Sequence, residues 1–167
     1  RLPRFDCLGR NGADYRCGFN FHLAYVHGKS SPPPAGHKNS KDLKGVKVYK
    51  LLVNVDQLKS LLDDGNTVVF DVRHDLADHG AGRRAYEAGH IPGAFFLDHE
   101  EDLSAPKTGK NGRHPLPPLS AFAALMGGYG VGKDVQVVIY DGGNSMFAAH
   151  LWWMLRWMGH QAVSVLD

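Results

Sequence analysis

Cysteine is scarce in this chain: Cys7 and Cys17 are the only two in 167 residues. They are too few for a disulfide framework and lack metal-ligand spacing, so a reducing cytoplasm is the expected compartment. Long apolar runs are missing as well. None approaches the roughly 18 residues that a membrane-spanning helix needs, and no membrane partner is expected. No charged-then-apolar leader follows Arg1, so no secretory signal is read. Charge of one sign is also lacking, the formal net charge being +2. Bulk electrostatics therefore offers nothing to nucleic acid.

What remains is an ordinary globular composition, 43% hydrophobic and 22% charged, at a one-domain length. Character changes near residue 45. Residues 1–45 mix glycine, asparagine and basic residues with the run Pro32-Pro33-Pro34, which fits neither helix nor sheet. They read as a disordered or irregular tail, in which Phe19 to Tyr25 could add a short element. Residues 46–167 read as the folded domain. The stop at Asp167, directly after an apparent strand, reads as the end of a fragment.

Within that domain, strands are expected at Tyr49–Val53, Thr67–Val72, Ala94–Leu97, Val135–Tyr140 and Ala162–Leu166. The first helix carries an Asn54/Gln57 capping box, an apolar stripe of Val55, Leu58, Leu61 and Leu62, and a stop at Gly65. Arg84–Ala88 offers a helical turn or two. Leu119–Met126 reads as a helix closed by Gly127-Gly128, and Met146–Met158 as a helix ended by Gly159. Alternating strands and helices with continuously apolar strands imply an α/β fold. It would be a parallel sheet of about five strands with helices on both faces. The functional crevice of such a sheet lies beyond the carboxyl ends of its strands, which singles out Arg73-His74 and Asp141 to Ser145.

Several stretches resemble one family in the right order. Gly89-His90-Ile91-Pro92-Gly93-Ala94 resembles the signature of rhodanese domains, and Asp71-Val72-Arg73 the strand end before it. Gly112-Arg113-His114-Pro115-Leu116-Pro117, Leu151 to Arg156, Gly159-His160 and Val165-Leu166-Asp167 resemble the first domain of tandem thiosulfate and 3-mercaptopyruvate sulfurtransferases. The resemblance covers residues 49–167. Pro92 sets a turn and Gly93 permits the tight approach to the next strand. His90 belongs to the same structural group, with Arg73 and Glu87 expected to form an ion pair that pins the loop before it. Trp152, Trp153 and Trp157 are read as core, with an interdomain face as the alternative.

In active domains of that family the loop after the fourth strand presents a cysteine whose thiolate is held by an amide nest and a helix terminus. Here the resemblance puts Asp141 at the nucleophile's position, followed by Gly142, Gly143, Asn144 and Ser145. A carboxylate can fill the nest as a permanent internal anion, but it cannot carry sulfane sulfur. No catalytic residue is therefore assigned to this chain, and neither Cys7 nor Cys17 lies between a strand and a helix. The resemblance implies that a second domain carries the cysteine and that this one lines the cleft between them. The matching cleft residues are Glu100 and His114, a carboxylate–histidine pair able to assist proton transfer, with Arg113 as an anion contact. A solvated loop histidine is the alternative for His114.

Other patterns mislead. Gly127 to Asp134 nearly spells a phosphate loop, but it follows a helix and has Asp134 where a magnesium-holding Ser or Thr belongs. His74 and His79, five apart, share no helical face and have no cysteine near, so no metal is expected. Lys41, Lys44, Lys47 and Lys50 read as a solvated basic stretch. No cofactor is implied. The expected partners are the C-terminal rhodanese domain and a small sulfur donor, thiosulfate or 3-mercaptopyruvate. The alternative is a stand-alone, non-catalytic module that binds a protein partner or senses a small anion at the Asp141 loop.

Overall fold

The computed structural model describes residues 48–167. The expectations for the tail at 1–45, for Cys7 and Cys17, and for Lys41, Lys44 and Lys47 fall outside them. The described chain runs β1 (Leu52–Val53), α1 (Val55–Asp64), β2 (Thr67–Asp71), α2 (Ala81–Ala88), β3 (Phe95–Phe96), α3 (Leu119–Gly128), β4 (Gln136–Tyr140), α4 (Met146–Trp157), β5 (Val163–Leu166). All strand pairs are parallel, in the order β1-β5-β4-β2-β3. The sheet is the α/β architecture that the alternation implied.

Period-two alternation decides which helix meets which strand residue. Val68, Phe70, Val137, Ile139, Val163 and Val165 face Phe122 and Met126 of α3 and Leu151, Met154 and Leu155 of α4. Val69 and Val138 point the other way, onto Leu58 and Leu61 of α1. Each central strand is thus buried on both sides, which is why its sequence shows no polar alternation.

The Asn54 side chain accepts from the Gln57 amide at 2.9 Å, and the Gln57 side chain accepts from the Asn54 amide at 2.9 Å. Gly65 closes α1 with φ 71°. The apolar stripe of α1 is narrower than read, for Val55 and Leu62 are exposed and only Leu58 and Leu61 reach the sheet. β1 is shorter than read because the Tyr49 amide binds the Gln136 side chain (3.0 Å) rather than a neighbouring strand. Helix α2 starts three residues earlier than Arg84. Gly82 lets its first turn lie on the Arg73 carbonyl, where a Cβ would sit 1.8 Å from the oxygen. α3 continues through both glycines that were expected to stop it.

Two side-chain expectations are corrected. Arg73 does not pair with Glu87, which is exposed. Its guanidinium instead grips the fully buried Asp71 carboxylate at 2.6 Å and the Gly89 carbonyl at 2.7 Å. Asp71 is two residues away on the same strand end, so this pairing closes no long loop. The Tyr140 hydroxyl donates to the same carboxylate at 2.7 Å. Burial, then the Asp71 bond, pushes the Tyr140 hydroxyl far above its usual range, while the Asp71 bond raises Arg73 against its own desolvation.

The tryptophans also divide. Trp152 is partly buried and its indole N–H donates to Val163 and Lys50 carbonyls. Trp153 and Trp157 are 45% and 41% exposed and stack on each other, so the core reading fails for them. They stand on the solvent side of α4, whose inner face is already filled by Leu151, Met154 and Leu155.

Candidate functional site

Three strand ends build the site. After β2 the chain presents His74, after β3 it presents Asp98-His99-Glu100, and after β4 it presents Asp141. The segment before β3 is set by the turn Ile91 to Ala94, closed by Ala94 N–H to the Ile91 carbonyl at 2.9 Å, with Gly93 at φ 81°. Only glycine accepts that conformation cheaply, and Pro92 pre-sets the residue before it. His90 stacks on Tyr86, ring centroids 3.8 Å apart, and lies outside the crevice.

The Asp141 loop is an amide nest with its anion already inside. The Asp141 carboxylate accepts from the Gly143 and Ser145 amides at 2.9 and 3.1 Å through Oδ1. Through Oδ2 it accepts from the Phe147 and Ala148 amides, both at 3.1 Å. Two of these donors belong to the first turn of α4, whose free N–H groups favour negative charge. Asn144 supplies a further cap by accepting from the Met146 amide at 3.0 Å. Ser145 stands at φ 58° to complete the turn. Gly142 and Gly143 are exposed around it.

Glu100 and His114 meet at 3.2 Å, Nε2 to Oε1. Asp98 fixes the first of them by accepting from the Glu100 and Glu101 amides at 2.8 and 3.0 Å. The segment of His114 is tied back by the Ala105 amide on the Pro115 carbonyl at 2.8 Å. Lys107 adds a bond to Glu100 Oε1 at 3.2 Å. Desolvation raises the Glu100 carboxyl, but the bonds from Lys107 and His114 and the neighbouring His79 outweigh it and hold it below its ordinary value. Arg113 is exposed and donates to the Leu76 carbonyl at 3.2 Å.

A histidine cluster was not legible in the sequence. His99 lies between His114 (4.6 Å between ring centroids), His150 (4.9 Å) and His74 (5.3 Å), with Phe147 at 5.0 Å. Burial first, then the neighbouring imidazoles, pushes His99 down to about 4. Burial also lowers His74 and His150. The buried nitrogens Nδ1 of His99, Nδ1 of His150 and Nε2 of His74 have no hydrogen-bond partner in the protein. Such atoms are costly unless a ligand or water completes them. The only trace of this in sequence was position: His74 and His99 follow strands, and His150 shares a helical face with Phe147 three residues before it.

Beside this cluster lies a crevice of about 380 Å³ bounded by Leu76, His99, Arg113, His114, Met146, Phe147 and His150. The imidazoles of His99 and His150, kept neutral by burial, share it with the cationic Arg113, a combination suited to a small anion. Of the residues expected at the site, Arg113 and His114 are in this lining, with Glu100 bonded to His114. Asp141 reaches it through Phe147. Arg73, Glu87, His90, Pro92 and Gly93 do not line it.

A family model described as Rhodanese-like domain matches residues 54–167. The chain is 44% identical over 118 residues to a protein of Pseudomonas aeruginosa named probable 3-mercaptopyruvate sulfurtransferase, covering 70% of this chain and 42% of that one. It is 42% identical over 128 residues to thiosulfate sulfurtransferase of Cricetulus griseus, covering 72% and 41%. The crystal structure of the 3-mercaptopyruvate sulfurtransferase SseA from Escherichia coli superposes with a TM-score of 0.61 at 35% identity, covering 71% of this chain and 45% of that one. The chain spans less than half the length of each.

Proposed function

Because this chain belongs to the rhodanese-like domain family, we propose that it serves as the non-nucleophilic half of a sulfurtransferase. In this reading sulfane sulfur travels on a cysteine persulfide carried by a second rhodanese domain, and the present domain supplies scaffold and one wall of the substrate cleft. The observation that carries it is Asp141. A carboxylate saturates the nest in which a persulfide anion would be held, and the described residues contain no cysteine. The same saturation argues against a free anion site at this loop.

The donor, thiosulfate or 3-mercaptopyruvate, would sit in the histidine-lined crevice with its anionic group on Arg113. There the Glu100–His114 pair can shuttle a proton at the leaving pyruvate carbon. Exposed Trp153 and Trp157 offer apolar surface to a second domain. A reducing cytoplasm suits a persulfide carrier, and no helix among the described residues is long and apolar enough to cross a membrane.

The test is thiocyanate formation from thiosulfate and cyanide by the full chain alone. No turnover is expected. Turnover that disappears in Cys7→Ser or Cys17→Ser would overturn the proposal, since a nucleophile would then reside in this chain.

A further inference from the structure

At the outer edge of the crevice, His74, His79 and Glu100 each offer one ligand atom, and the three atoms lie within 4.8 Å of one another. His79 Nδ1 is already 3.4 Å from Glu100 Oε1. An ion bonded tetrahedrally at about 2.0–2.1 Å separates its ligand atoms by roughly 3.4 Å, so that edge has the required length, and the two sides that involve His74, each within 4.8 Å, close by small side-chain shifts. No helical period relates this pair. His74 and His79 stand on the loop between β2 and α2, and Glu100 arrives from the loop after β3.

A second observation points the same way. The buried Nε2 of His74 has no partner in the protein, and such an atom is costly unless a ligand or water completes it. His114 Nε2, 3.2 Å from Glu100 Oε1, holds that carboxylate in its orientation. Lys107 also bonds Glu100 Oε1 at 3.2 Å, from a side chain 48% exposed.

The geometry points to a divalent transition-metal site of zinc type, formed by His74, His79 and Glu100, with one coordination position open. Two imidazoles and one carboxylate favour zinc, cobalt, nickel or copper over calcium and magnesium, which require all-oxygen shells. The site shares Glu100 with the carboxylate–histidine pair of the sulfur-transfer reading, but metal binding is measured without reference to turnover.

The test is a Zn2+ titration of the full chain by calorimetry at pH 7.5, with Co2+ absorption reporting coordination geometry. All proteins carry Cys7→Ser and Cys17→Ser, which removes thiolate ligands. One equivalent of Zn2+ should bind at micromolar affinity or better, and Co2+ should give the intense visible bands of a tetrahedral site. His79→Ala, an exposed position, and Glu100→Gln should each weaken binding at least tenfold without changing the circular dichroism. Binding weaker than about 100 µM in the parent, or parent-like binding by both variants, would overturn the assignment.

Discussion

Replacing Asp141 by alanine removes the acceptor for four backbone N–H groups in one step. The Gly143 and Ser145 amides lie in an exposed loop and recover water. The Phe147 and Ala148 amides belong to buried residues and do not. Hydrogen bonds to a charged group contribute about 1.5–3 kcal/mol each, and a negative charge at a helix N-terminus about 0.5 kcal/mol. Two bonds lost outright and two exchanged for water amount to about 3 kcal/mol, or roughly a 10 °C fall in Tm for a domain of this size. Asp141→Asn keeps one acceptor oxygen and should fall about half as far. Urea unfolding followed by tryptophan fluorescence reads this directly, because Trp152, Trp153 and Trp157 ride on the helix that the carboxylate caps. A loss under 0.5 kcal/mol in Asp141→Ala would refute the nest as a source of stability and remove the argument that an anion is needed there.

Gly82→Ala should destabilise by about 3 kcal/mol or more, since its Cβ would lie 1.8 Å from a main-chain oxygen that cannot step aside; thermal melting checks it, and a near-neutral value would mean α2 is not seated on the Arg73 carbonyl. Ser145→Gly should stabilise by about 0.5–1 kcal/mol by relieving the left-handed backbone at φ 58°, again by melting. Stability should also fall in acid. His99, held at about 4 in the fold against an ordinary 6.5, is neutral when folded and takes its proton first when unfolded. Its contribution is complete above pH 6.5 and is lost as pH falls toward 4, about 2 kcal/mol at pH 5. His150 and His160, also lowered by burial, act in the same direction. Urea titrations with chelator at pH 7.5 and 5.0 measure the loss, and His99→Gln should shrink it; a curve unchanged by that substitution would count against a buried neutral His99.

The central strands and the capped helix α1 were legible from local rules, because TVVFD and QVVIY are buried on both faces and Asn54–Gln57 closes its cap within four residues. The carboxyl-end loops could also be named as the place of the crevice, since parallel topology puts it there. What failed were statements about partners. Arg73 found Asp71 rather than Glu87 because the nearer carboxylate is buried and would be left unpaired. His74 and His79 were judged by helical spacing, yet a loop obeys no such period.

By itself, then, the chain's order of apolar runs, caps and glycines determined an α/β sheet and put Asp141 in the loop between a strand and a helix, because those features depend on neighbours within a few residues. Only the tertiary structure decided that His74, His79, His99, Glu100, His114 and His150 converge. They come from separate loops and a helix, brought together by strand order and by the register of β2 with β3 and β4. Sequence spacing carries no record of that register, which is set by the packing of two buried sheet faces.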